Sequence, residues 1–158
     1  KRRPGGVRAG ALQNILGAVR HMNREEIKKI LPHREPMLLI DEVTLEGNIA
    51  VGRYTVRGDE FFLQGHFPGN PVVPGVILCE MMAQSACILI QADNHYTPYY
   101  TGINNVRFKR KVLPGDTVEF KSEITRAKAP FYFMKSEGFV NGKLAVCGEF
   151  SFAAIRGE

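Results

Sequence analysis

The longest apolar stretch runs from Pro74-Gly75 to about Gln91 and reads PGVILCEMMAQSACILIQ. Its Leu, Met, Ala and Ile content suits a helix, and proline is preferred in a first helical turn. The stretch is apolar on almost every face, which predicts a helix buried all round. Glu80, Gln84 and Ser85 interrupt it and turn residues bound it, so it does not read as a membrane span.

The remaining segments alternate or are β-branched. PMLLIDEVTLEGN and IAVGRYTV form a predicted hairpin around a Gly-Asn turn. After the long helix come TGINNVRFKRKVL, DTVEFKSEITRAK, FYFMKSEGFV and LAVCGEFSFAAI. Pro114-Gly115-Asp116, Ala129-Pro130 and Asn141-Gly142 separate them, and Asn-Gly between two such runs is a strong hairpin signal. Near the start, Asn23 is placed to cap a helix over MNREEIKKIL that Pro32 stops, with Glu25 and Glu26 at its positive end. The order is helix, two strands, buried helix, four strands. No βαβ alternation occurs, so the prediction is an α+β domain with an antiparallel sheet covering one helix.

A chain of 158 residues fits one domain and can bury a core without disulfides. Cys79, Cys87 and Cys147 make an odd count with apolar neighbours, which suggests reduced, packed thiols in a cytosol-like compartment. No cysteine pair or Cys/His cluster points to zinc or another metal. The net charge of +5 hints at nucleic acid, but five basic residues lie among the first 21, which hold no acid. From Met22 onward 16 basic residues balance 16 acidic ones, so no nucleic-acid partner is expected. Residues 1–21 therefore read as a basic N-terminal extension, with the domain proper over 22–158. The extension is a leader, an upstream segment or a cloning remnant; a transit leader would imply organelle import.

The chemistry concentrates in LQGHFPGNPVVPGVILCEMMAQ. His66 sits in a turn fixed by Gly65, Pro68, Gly69, Pro71, Pro74 and Gly75. A histidine bonded to a loop carbonyl is the bland account. A backbone held this tightly also positions functional groups. Imidazole, with a pKa of about 6.5 in reference peptides, can remove and return a proton near neutrality. Glu80 lies in the second turn of the greasy helix, where it snorkels, pairs with an arginine, or serves as an acid whose pKa burial raises. Gln84, one turn on, shares its face and either orients that carboxyl or bonds a neighbouring strand. The N–H groups of Gly75, Val76 and Ile77 open the helix without intrahelical partners, a ready site for a carbonyl oxygen gaining negative charge. Base, acid and oxyanion donor together suit proton removal beside a thioester carbonyl while a hydroxyl leaves the next carbon. Glu80 is about 7.5 Å along the helix axis from Gly75, so one chain has difficulty bringing His66 and Glu80 together, and two subunits sharing a site would solve this.

GHFPGNPVVPGVILCEMMAQ resembles the signature of the FabZ-type 3-hydroxyacyl-acyl-carrier-protein dehydratases. ILPHREPMLLIDEV and INNVRFKRKVLPGDTVEF are similar to further segments of that family, and the resemblance covers roughly Met22 to Ile155. It implies a hot-dog fold, a six-stranded antiparallel sheet wrapped around one long central helix. It implies a lyase of type II fatty acid synthesis, converting (3R)-3-hydroxyacyl chains reversibly to trans-2-enoyl chains. The substrate rides on the phosphopantetheine of acyl carrier protein, and no metal or redox cofactor is implied. The roles implied are His66 as base, Glu80 of the other subunit as acid, Gly75 N–H on the thioester carbonyl, the Val72 carbonyl orienting His66, and Gln84 supporting the acid. Dimers, often grouped as trimers of dimers, are implied as well. A sister group that also isomerises the double bond usually has Asp in place of Glu80, so Glu80 favours the plain dehydratase. Val73 stands where the family usually has Met, and Met81 where a smaller residue is common, which leaves chain-length preference open.

Arg107, Lys109, Arg110 and Lys111 read either as a solvated strand edge or as a landing patch for an acidic carrier protein. Phe67, Met81 and Tyr100 are candidates for an acyl tunnel, with Tyr100 its gate, although such residues also simply fill cores. A hot-dog thioesterase and a non-catalytic acyl- or carrier-binding module remain the alternatives. The former generally lacks the histidine turn, and the latter does not need His66, Glu80 and Gly75.

Overall fold

The computed structural model of the protein describes residues 19–90 and 96–157. The expected extension falls outside the described residues as far as residue 18, as does the helix end expected at Gln91. In chain order the elements are β1 (Arg20–Asn23), α1 (Arg24–Ile27), β2 (Glu42–Glu46), β3 (Ile49–Thr55), α2 (Gly75–Cys87), β4 (Tyr96–Phe108), β5 (Thr117–Lys128), β6 (Phe131–Val140) and β7 (Lys143–Arg156). The strands form one antiparallel sheet in the order β1-β2-β3-β5-β6-β7-β4.

The sheet has seven strands, one more than expected. The extra strand is β1, which pairs through Arg20–Asn23 with Glu42–Leu45 of β2. Its sequence, RHMN, is too short and polar to carry an alternating pattern. It is held by edge pairing and by Met22, which is wholly buried. The boundary drawn at Met22 thus crosses a strand rather than preceding one.

Asn23 caps α1 as the sequence predicts. Its side chain accepts from the Glu26 N–H at 3.0 Å, and Glu26 Oε2 accepts from the Asn23 N–H at 2.9 Å. The helix is shorter than expected, because the chain relaxes into turns after Ile27 and the Arg34 guanidinium takes the carbonyls of Lys28 and Leu31. Arg24 then ties α1 to the segment ahead of β2. It donates to the carbonyls of Leu38 (2.8 Å) and Ile40 (3.1 Å) and pairs with Glu35 and Asp41.

Helix α2 packs against β3, β5, β6 and β7, and a 3-10 turn over Ile88–Ile90 continues it. Every residue from Met81 to Cys87 is buried, as an all-round apolar sequence requires. Phe120, Phe150, Phe152, Met82 and Met134 complete the core, each contributing about 1.5–3 kcal/mol by burial. At the β6–β7 hairpin Asn141 and Gly142 both take positive φ, 49° and 73°, the backbone an Asn-Gly turn supplies at low cost. Among the described residues no helix is long and apolar enough to cross a membrane.

Candidate active site

The histidine turn is closed by its own backbone. His66 N–H donates to Leu63, Phe67 and Asn70 bond each other in both directions, and Val72 N–H returns to the His66 carbonyl at 3.0 Å. The Val72 carbonyl lies 2.9 Å from His66 Nδ1. A carbonyl can only accept, so Nδ1 carries the proton and Nε2 presents a lone pair, the form a base requires. His66 is therefore a ring bonded to a loop carbonyl, and in its neutral form that bond leaves Nε2 without a proton. The Phe67 ring stacks on the imidazole with centroids 4.0 Å apart.

Glu80 occupies a different setting. Its Oε1 accepts from Gln84 Nε2 at 3.0 Å and lies 3.2 Å from His33 Nε2. Gln84 is buried and fully engaged. Its oxygen accepts from the Leu39 N–H at 2.8 Å, and its nitrogen also donates to the Met37 carbonyl at 2.7 Å. Gln84 thus bonds a segment that lies outside any strand, not a neighbouring strand, and its amide nitrogen also donates to the Glu80 carboxylate. Because the Leu39 N–H claims the oxygen, only the amide nitrogen can face Glu80.

The expected upward displacement of the Glu80 pKa does not survive. Burial pushes the carboxyl up, but hydrogen bonds from His33 and Gln84 outweigh it and hold the pKa below the ordinary value in the single chain. The sequence pattern assigns His33 no role. It lies in the quoted segment ILPHREPMLLIDEV, and its one signal is a histidine fixed beside Pro32; the 47 residues separating it from Glu80 conceal the pairing.

At the start of α2 the oxyanion set is smaller than expected. Ile77 N–H bonds back to the Pro74 carbonyl at 3.0 Å, which leaves the N–H groups of Gly75 and Val76 without partners among the described residues. Phe108 covers this end so closely that a Cβ on Gly75 would lie 2.8 Å from its ring. Gly75 and Phe108, with Val72, Val73, Leu78 and residues Lys109 to Val112, line an open cleft of about 450 Å³. Lys109, Arg110 and Lys111 thus line the same cleft as Gly75. Arg107 lies just before them, its guanidinium on the Val106 carbonyl.

The three tunnel candidates have separate surroundings. Phe67 is half-exposed beside His66, while Met81 is wholly buried. Tyr100 donates to the Cys79 carbonyl at 3.0 Å and packs on Phe150 and Phe152, which anchors the ring. The Cys79 thiol is pushed up by burial, in keeping with packing rather than reactivity.

Residues 31–149 match the FabA-like domain family. The chain is 44% identical over 138 residues to the 3-hydroxyacyl-[acyl-carrier-protein] dehydratase FabZ of Clostridium perfringens, covering 84% of this chain and 98% of that protein. The chain belongs to the FabA-like family. The FabZ protein of Clostridium beijerinckii is 42% identical over 139 residues with the same coverage, so the resemblance to FabZ-type dehydratases extends well past the histidine turn. The fold is the hot-dog fold. A chain of the dehydratase heterocomplex ApeI:P from Xenorhabdus doucetiae superposes with a TM-score of 0.72 at 22% identity, covering 82% of this chain and 91% of that one. A hypothetical thioesterase with coenzyme A from Streptococcus pneumoniae superposes at 0.54 and 13% identity over 69% of this chain and 80% of that one. Likeness at such identities defines the fold and leaves the chemistry to sequence and site.

Proposed function

We infer that the chain is a hydro-lyase of fatty acid synthesis that removes water reversibly from (3R)-3-hydroxyacyl chains on acyl carrier protein, giving trans-2-enoyl chains. The observation that carries this reading is its 44% identity to FabZ dehydratases along nearly their whole length. His66 Nε2 takes the proton from C2, and the electrons of that bond form the C2–C3 double bond. The C3 hydroxyl departs as water with a proton from Glu80, whose pKa, lowered in the single chain, rises in this reading as substrate and the second subunit exclude water from it. The Gly75 N–H donates to the thioester oxygen, which gains charge as C2 loses its proton. The steps move a proton and a hydroxyl with no net change of oxidation state, so the reaction calls for no redox cofactor.

The two proton-transfer groups come from different subunits in this reading. Within the chain His66 is engaged by Val72, and Glu80 by His33 and Gln84. The other half of each site is a second copy's, with β4, a sheet edge that exposes Tyr99, Ile103 and Phe108, as the joining strand. Lys109, Arg110 and Lys111 would steer the acidic carrier to the cleft. The free thiols suit a reducing compartment such as the cytoplasm.

The test gives purified protein crotonyl and 3-hydroxybutyryl carrier-protein thioesters and follows enoyl absorbance and free thiol separately. Change at the enoyl band without thiol release is expected. Thiol release would make it a thioesterase, and carrier binding with neither change would make it a binding module.

A further inference from the structure

We propose that His33 is a positioning residue for Glu80: with Gln84 it occupies Oε1 as an acceptor and leaves Oε2 to exchange the proton with substrate. The inference rests on the reading of Glu80 as the group that protonates the departing hydroxyl, and it adds a residue to that half of the site.

The argument begins at the imidazole. His33 Nε2 is 3.2 Å from Glu80 Oε1, and the two side chains are only 23% and 21% exposed. His33 Nδ1 is buried with no partner. A neutral ring protonated on Nε2 donates to the carboxylate and buries a bare lone pair. The other tautomer would face Oε1 with a lone pair and bury an unpaired N–H. The first arrangement makes one more hydrogen bond, so the site selects Nε2–H.

Oε1 then faces two donors. Gln84 cannot turn its oxygen inward, because the Leu39 N–H holds it. A proton on Oε1 would meet the N–H groups of Gln84 and His33, so a protonated Glu80 carries it on Oε2. When Oε2 gives up that proton, both donors are already in place for the charge that spreads to Oε1.

The local charges single out this contact. Cys79 and Cys87 on α2 and Tyr100 on β4 also feel Glu80, and burial pushes all three up, so they stay neutral near neutrality. The Arg34 guanidinium is spent on the carbonyls of Leu31, His33 and Lys28 and holds the His33 backbone. Among the described residues His33 is the ionisable side chain that touches the carboxylate.

The test measures dehydration of a 3-hydroxyacyl carrier-protein thioester across acid and neutral pH for wild type, His33→Phe, His33→Gln and Glu80→Gln. Losing a hydrogen bond to a charged group lowers kcat about 10- to 100-fold in His33→Phe with little change in KM. The limb of the pH profile set by Glu80 moves to higher pH, because a donor to its carboxylate is gone. His33→Gln, which can still donate, recovers most of the rate. Wild-type kcat and profile in His33→Phe, beside an inactive Glu80→Gln, would overturn the inference and leave the catalytic reading intact. An active Glu80→Gln would remove that reading and this inference with it. Equal losses in His33→Phe and His33→Gln with an unmoved limb would make the ring mere packing. Should His33→Phe fail to fold, nitrogen NMR of the wild type decides: Nε2 protonated is expected, and Nε2 bare overturns the proposal.

Discussion

The histidine turn and the carboxylate cluster are organised in opposite ways. His66 is set by groups no more than six residues away, chiefly the Val72 carbonyl and the closed backbone around it. Glu80 is set by His33 and, through Gln84, by Met37 and Leu39, from 41 to 47 residues earlier in the chain. One region positions its group by local chain geometry, the other by tertiary packing. The two imidazoles differ accordingly: His66 meets the Val72 carbonyl through Nδ1, and His33 meets Glu80 through Nε2.

The largest effect expected is on the turn. His66→Ala should lower the rate of enoyl formation by at least about two orders of magnitude, the scale of a lost general base. Mixing it with inactive Glu80→Ala, with subunit exchange verified, should restore part of the activity; no recovery would show that the two groups do not come from separate chains. Gln84→Leu probes the other region. It leaves the Leu39 N–H without its partner, so unfolding in urea should show a loss of about 1–3 kcal/mol along with a fall in kcat. A kcat drop without loss of stability would break the view that packing sets Glu80. Replacing Lys109, Arg110 and Lys111 by Glu should raise KM for carrier-bound substrate about tenfold, weaken its salt dependence and spare a short pantetheine thioester. Equal loss on both substrates would remove the steering role. The smallest effect is at the cap: Asn23→Ala should cost about 1 kcal/mol in thermal unfolding, by removing the side-chain half of the capping box.

The same division decides what is legible in the sequence. The buried α2, the Asn23 cap, the Asn141-Gly142 turn and the β5–β7 strands all depend on short-range pattern, and the sequence displays that pattern openly. β1 was missed because edge pairing to β2, not its own composition, makes it a strand. At the candidate site, His66 and Gly75 share one stretch whose pattern singles them out, and Val72 follows only from the family resemblance. His33 is not singled out, because proximity to Glu80 is created only when Arg24 and Gln84 fasten the segment ahead of β2 onto the rest. The direction of the Glu80 pKa failed for the same reason: burial could be anticipated from neighbours in the helix, but the donors that outweigh it come from elsewhere.

Arg24 gives this architecture a practical edge. Its guanidinium grips the carbonyls of Leu38 and Ile40, next to the very peptide groups that Gln84 uses. Trimming the amino end past this arginine would therefore be felt at the Glu80 carboxylate, not only in melting temperature. Anyone shortening the protein for expression should count turnover as well as yield.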